Sequence, residues 1–584
     1  MKSEKRLGQI VSTAISGNDI LSSALYVSGI AIIFAGIYAP LVLLFIGIVL
    51  FFYRTVYREV VEALPVNGGA YNALLNGTSK TIAATAGVMT ILSYTATAVI
   101  SAATAVEYLF LFLGNYFPKI HFGSYVIPTV IVILLLFSIL VITGLRDSAK
   151  VALGIFGFHI VTLVVFLAVG IFFIATHGFG TLQVNAHQTG ALITLHGGLP
   201  ETLFLAFSAS LLGVSGFESS ANFVEEQKKG VFKHTLRNMT IGIIIFNPAI
   251  AFVVLNVLHI SFIPSVQDSV LAVTALRMGG LLLTALISID AFFVLCGAVL
   301  TSFIGVSGLV NRMTLDECLP HFLAKENSKN AHPRIIITFF LLCTSILIMT
   351  KADLLSLAGV YTISFLSVMS LFAFGNLILR QTRRDLKRPY KAPFLFVIFA
   401  FAATASGIIG NILIDQRNVV YFLTYFIPAS LLVISLIYKR DIIYSMTKFT
   451  KHIPPVHDIL LRKYNEVINR NYYVFINHVD KLYEILAYIN RNESGGNITL
   501  IHCKEERKEN TGEILKGLIQ SLNTAGAFKT FNIKVKYIDE VFGPEVINNF
   551  ALTHHIMHNR IFIGSIHDFH KFDYDELGGV RIIT

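Results

Sequence analysis

The residues of this sequence whose types and spacing could do chemistry are polar groups set inside apolar runs. Glu218 stands in Ser215-Gly216-Phe217-Glu218-Ser219-Ser220-Ala221-Asn222, and Asp290 in Ile287-Ser288-Ile289-Asp290-Ala291. Charged groups are costly in hydrocarbon, so such residues face a pathway or a partner. A third run, Ser16-Gly17-Asn18-Asp19-Ile20-Leu21-Ser22-Ser23-Ala24-Leu25-Tyr26, is dense in small and hydroxyl residues. That density predicts a break in a helix, whose freed backbone groups bind a solute near the membrane midplane. The competing reading is close packing through small residues. Asp19 is either buried or caps the helix at the interface. Gly216 beside an acid predicts a second break, with Glu218 as an embedded titratable carboxylate. Glu225 and Glu226 lie near a basic loop, where Lys228 or Arg237 would pair with them. Neither a Ser/His/Asp arrangement nor an HExxH or Walker motif occurs, which argues against an enzyme or an ATP-driven pump.

The elements that position these groups follow from composition. Of 584 residues, 54% are apolar and 14% charged, and mean hydropathy is +0.70. A soluble domain carries about a quarter charged residues. Spanning a bilayer takes roughly 20 apolar residues, and about twelve such stretches recur between Ile20 and Tyr438. Lys and Arg gather in alternate loops, from Arg54 and Arg58 to the cluster Arg380 to Lys391, while 176–201 holds none. This alternation predicts a multi-pass protein with both termini in the cytoplasm, here of a bacterial inner membrane. The net charge of +10 is therefore topology, and no nucleic-acid partner is implied. The polar N-terminus predicts no cleaved signal peptide. Cys296, Cys318, Cys343 and Cys503 lack metal-type spacing and read as fillers, so no metal is expected.

Beyond Tyr438 the long apolar runs stop. Strand-like stretches 472–477, 497–502, 532–537 and 559–564, with a further one at 580–583, alternate with helical patterns at 479–490 and 512–523. That alternation predicts a small α/β domain with a parallel sheet. The boundaries are a membrane domain at 1–440 and a cytoplasmic domain at 455–584, through which a homodimer is possible. Ser494-Gly495-Gly496 reads as a turn and not as a phosphate loop. A nucleotide there is unsupported, and no cofactor is expected.

Family motifs occur in order along residues 10–440. They are Glu59 to Tyr71 (EVVEALPVNGGAY), Thr143 to Val151 (TGLRDSAKV), Gly216-Phe217-Glu218 with Glu225-Glu226, Asn311 to Pro333, and Leu379 to Pro393 (LRQTRRDLKRPYKAP). The chain thereby resembles the amino acid–polyamine–organocation superfamily in its amino acid permease branch. The resemblance implies the leucine-transporter fold, an all-α membrane protein of ten core helices in a five-plus-five inverted repeat plus two. The tail resembles a universal-stress-protein domain.

The family's first helix holds the substrate carboxylate on Gly-Ser-Gly; here Ser22, Ser23 and Ala24 align, and with Tyr26, Ser215 and Gly216 they form the expected substrate site. Asp19 with Tyr26, and Tyr94, resemble potassium importers of the KimA kind. In those an acid precedes the third-helix tyrosine, where this chain has Ser93, and the tenth-helix tyrosine aligns with Ala358, one turn from Tyr361. Proton-coupled members carry a lysine in the fifth helix that aligns with His159. The competing reading is a histidine bonded between helices. A histidine near pKa 6.5 exchanges protons at ordinary pH, so the coupling residues are His159, Glu218, Asp19 and Asp290. The expectation is a secondary active transporter, a proton symporter taking up an amino acid, with a KimA-like potassium importer or a transporter-derived sensor as alternatives.

Overall fold

The computed structural model describes all residues except 1–5, 66, 117–121, 144–147, 225–226, 330, 385, 469, 477–481, 494, 504–510, 526–527, 529–530, 565–579 and 584. Glu225, Glu226, Arg146, Asp147 and Ser494 fall outside the described residues.

Eleven helical stretches among the described residues are long and apolar enough to cross a membrane, as a multi-pass membrane protein requires. The first, Gln9–Ala63, holds 55 residues, roughly 80 Å of helix and more than twice a hydrocarbon core. It is divided into α1 (Gln9–Ser22), α2 (Ala24–Ala35) and α3 (Ala39–Ala63). The turn into α3 falls at Gly36, whose φ of 55° suits glycine. The chain continues with α4 (Gly69–Gly77), α5 (Lys80–Tyr116), α6 (Val126–Ile142) and α7 (Ser148–His177). Next, α8 (Gly180–His196) is a helix where the absence of Lys and Arg had pointed to a loop. Then come α9 (Leu199–Ser210), α10 (Phe232–Val257), and α11 (Val270–Leu315), which is interrupted at Gly280 with φ 64°. The last apolar helices are α12 (Pro333–Thr350), α13 (Leu354–Thr382), α14 (Phe394–Ile414) and α15 (Gln416–Ile437). Helices satisfy most backbone groups internally, as the bilayer demands, and α10 and α15 each contain an internal proline, Pro248 and Pro428.

Two compact units divide the chain. One comprises Met1–Ala73, Ala86–Asn311 and Phe322–Pro428; the other Leu74–Thr85, Arg312–His321 and Ala429–Thr584. The second unit thus takes in the C-terminal part of α15, well before Arg440, and includes two short pieces that hold the end of α4, the start of α5 and the end of α11.

Within the first unit, Glu59 explains one family motif. This residue, 1% exposed, accepts hydrogen bonds from the Arg380 guanidinium and from the Ala392 amide at 2.8 Å. Arg388 stands 3.5 Å away. The basic loop before α14 is therefore pinned to the end of α3 by a buried carboxylate.

The second unit contains α16 (Lys439–Phe449), α17 (Pro454–Ile468), α18 (Leu482–Asn492), α19 (Thr511–Ala525) and α20 (Pro544–Thr553). They accompany β1 (Asn471–Phe475), β2 (Gly496–Cys503), β3 (Phe531–Ile538), β4 (Ile561–Gly564) and β5 (Arg581–Ile583). All strand pairings are parallel, in the order β3-β2-β1-β4-β5. Register pairs Tyr472 with Ile498 and Ile498 with Ile533. Central β1 and β2 read as near-continuous apolar runs because both faces are covered. Val546, Ile547 and Phe550 of α20 pack on Phe475, Ile501 and Ile563.

Candidate functional site

The site lies within the first unit, where two helices are broken. α1 ends at Ser22 and α2 starts at Ala24, an interruption of one residue at which Ser23 keeps right-handed helical angles, φ −62° and ψ −25°. The hydroxyls at the break are already committed: Ser22 donates to the Asp19 carbonyl at 2.7 Å, and Ser23 to Ile20 and Gly213 carbonyls at 2.6 and 2.9 Å. Across the break, α9 stops at Ser210 and the chain turns through 211–222 without regaining an α-helix. Ser219 and Ser220 donate to the carbonyls of Gly216 and Phe217 at 2.6 and 2.8 Å. A hydroxyl that gives its proton to a carbonyl presents only lone pairs to anything else. These four hydroxyls therefore turn lone pairs, not protons, to any further partner.

Gly216 is required by geometry. Its φ is +86°, and a Cβ there would lie 2.7 Å from Cγ of Asp19. Asp19 is 4% exposed in the body of α1, which settles its burial against capping at the interface. Glu218, 6% exposed, neighbours Asp19 and Ser93. Ser215, beside Gly216, lies next to the hydroxyls of both Tyr26 and Tyr361. Tyr94 hydrogen-bonds Asn222 and lies flat on Gly305, where a Cβ would meet its ring at 2.6 Å. Of the expected substrate residues, Tyr26, Tyr94, Ser215 and Gly216 thus gather with Asp19 and Glu218. Ala24, 0% exposed, opens α2.

His159 and Asp290 meet each other: Nδ1 and Oδ2 are 2.7 Å apart, and both side chains are fully buried. The other ring nitrogen faces the Leu21 carbonyl at 3.3 Å, one residue before the break. α1 and α7 pack closely here, with Asn18 donating to the Ala152 carbonyl at 2.9 Å. The histidine is bonded between helices and also touches the backbone of the broken one, so both readings of it meet in one geometry.

Sequence reasoning named Tyr361 and Ser93 only as neighbours of aligned positions and gave no role to Ser219 and Asn222. Ala358, aligned with the importers' tenth-helix tyrosine, instead lines a cavity of about 360 Å³ with Thr362, Asn411 and Asn418. Tyr361, three residues on, is 0% exposed and joins the cluster. One helical turn separates the two positions, so an alignment shift of three residues keeps both on one face of α13. Among the described residues, Glu218 Oε2, Ser93 Oγ and the Tyr361 hydroxyl lack a well-formed hydrogen bond. No group of three or more His, Cys, Asp or Glu side chains suited to a metal occurs among the described residues.

Residues 7–437 match the family model described as amino acid permease. The chain is similar to the potassium transporter KimA of Bacillus subtilis (strain 168), 28% identical over 246 residues. That alignment covers 40% of this chain and 39% of the relative, so it spans about two fifths of the relative's length.

Proposed function

The chain belongs to the amino acid permease family of the amino acid–polyamine–organocation superfamily, and from that premise we propose that it takes up potassium by proton-coupled secondary transport. The observation that carries this is the donor set at the two breaks. Asp19 and Glu218 supply carboxylates, Tyr26, Tyr94 and Tyr361 phenolic oxygens, and the four serines only lone pairs. A dehydrated cation needs about six or more oxygens, and potassium is held by neutral oxygens such as carbonyls. Tyr361 in the cluster supplies a phenol in place of the one that Ala358 lacks, while Ser93 still stands where the importers carry an acid.

An amino acid brings an ammonium that the two buried acids would attract and a carboxylate that they would repel, and the four serines offer that carboxylate no protons. Ala24 further narrows the backbone approach that the family's glycines leave open. The amino acid reading is supported by the description of the family.

In the cycle, His159 would take a proton beside the Leu21 carbonyl and shift the packing of α1 on α7, and Asp290 would hold the resulting imidazolium. Glu218 would share the cation or its proton. The broken α1–α2 and α9 would occupy matching places in a five-plus-five inverted repeat. The protein would sit in a bacterial inner membrane with both termini and the 455–584 domain in the cytoplasm, where that stress-protein-like domain would regulate transport and pair in a homodimer.

The test is uptake by proteoliposomes of rubidium-86 and of a panel of labelled amino acids, under an imposed pH gradient with and without sodium. Rubidium uptake that follows the pH gradient is expected. Accumulation of an amino acid without rubidium would overturn the cation reading, and sodium-driven uptake indifferent to pH would overturn the coupling.

A further inference from the structure

Among the described residues a buried cluster of charge lies in the second unit, and transport chemistry makes no use of it. Arg581 of β5, 2% exposed, reaches Glu493 Oε1 at 2.5 Å and Asp316 Oδ1 at 3.1 Å. Lys80 Nζ stands 3.2 Å from the same Glu493 oxygen. These four side chains carry balanced charge and none is more than 7% exposed, and Arg312, a quarter exposed, adds a further cation 3.3 Å from Asp316. Tyr472 of β1 donates to the other Glu493 oxygen at 3.2 Å. Burial alone would raise the Glu493 carboxyl, yet Arg581 and Lys80 hold it below the usual carboxylate range.

The chain origin of these residues is what matters. Glu493 and Arg581 belong to the sheet domain, whereas Lys80 is the first residue of α5 and Asp316 directly follows α11. Backbone contacts repeat the same joins: Asn492 accepts from the Lys80 amide at 3.1 Å, and Arg491 donates to the Thr78 carbonyl at 3.3 Å. α5 is one uninterrupted helix that carries Tyr94 fourteen residues beyond Lys80, roughly 21 Å along its axis. α11 carries Asp290.

We propose that the quartet Lys80, Glu493, Arg581 and Asp316 is a charge lock through which the sheet domain grips the ends of α5 and α11, so that domain movement and the transport cycle control each other. A packed apolar seam would hold the same surfaces together with less sensitivity to position. A buried ion quartet is instead all-or-none, since any displacement leaves a charge in low dielectric without its partner. Two-state elements of this kind are what couple distant sites.

Two variants of the full chain in proteoliposomes test this. Lys80→Met with Glu493→Gln removes one charge of each sign and leaves Arg581 paired with Asp316, which protects folding. Thr78→Cys with Arg491→Cys permits a short thiol cross-linker to fasten the join outside the quartet. Cross-linking is expected to lower rubidium-86 uptake about fivefold or more, the lower range of allosteric coupling factors. The neutral pair is expected to change uptake by a similar factor and to speed hydrogen exchange in 74–85 and 312–321 together. Cross-linked protein that transports as fast as its uncross-linked control overturns the lock. Unchanged hydrogen exchange in the neutral pair overturns it also. If wild type takes up no rubidium, the cation reading fails and the hydrogen-exchange comparison alone decides the lock.

Discussion

Replacing Tyr361 with Phe removes one oxygen from the cluster and little else. The ring is fully buried and packs against Phe365 at 5.8 Å between centroids, and Phe keeps that contact. The hydroxyl has no well-formed hydrogen bond to lose, so the fold should change by less than about 1 kcal/mol. A bound cation loses a ligand, and interactions with a charged group contribute about 1.5–3 kcal/mol. At about 1.4 kcal/mol per tenfold, the half-saturating concentration should rise at least about tenfold. Neighbouring oxygens would recover part of the loss, which places the expectation at the low end. Tyr53→Phe is the control, because its hydroxyl bonds Thr404 at 2.7 Å and lies outside the cluster. The assay is the concentration dependence of rubidium-86 uptake in proteoliposomes, with thermal unfolding measured alongside. A half-saturation within twofold of wild type, in a protein of unchanged stability, would refute Tyr361 as a ligand.

Gly216→Ala should abolish uptake, since a left-handed φ costs about 1–2 kcal/mol and the new Cβ would press on Asp19 at 2.7 Å; uptake at wild-type rates would show that the turn can relax. His159→Ala leaves Asp290 buried without its partner, so thermal unfolding should register a loss of about 3–5 kcal/mol. The double variant His159→Leu, Asp290→Leu should recover most of that stability and yet show no pH-driven uptake; a double variant as unstable as the single one would deny that the pair is the unit. For Glu493, the folded carboxyl is depressed, so its contribution is present above the unfolded value near 4.3 and lost as pH falls through the lower folded value. The gap in unfolding temperature between wild type and Glu493→Gln should therefore narrow as pH is lowered below about 4, and a constant gap would separate the residue from titration.

The sequence by itself determined that the chain is membrane-spanning, where its helices break, and where its strands lie. Hydropathy and basic-loop alternation are local signals that the bilayer enforces on every span, because no water is present to accept an exposed backbone group. The break at Ser22-Ser23-Ala24 and the turn at Gly216 were legible for the same reason: small residues beside acids have few other uses in an apolar helix. Of the expected strands 472–477, 497–502 and 532–537, the last two fall inside β2 and β3, and β1 covers the first up to Phe475.

What only the tertiary structure decided is which side chains meet. Asp290 pairs with His159, 131 residues away, and no pattern in either helix encodes that encounter. Tyr361 replaces Ala358 in the cluster because one helical turn changes a residue's neighbours without changing its hydropathy. Lys80, Asp316, Glu493 and Arg581 share no motif or spacing in the sequence, since a charge at the end of a helix or strand gives no sign of burial. Their meeting depends on the chain returning to the same place after hundreds of residues, and that is a property of packing.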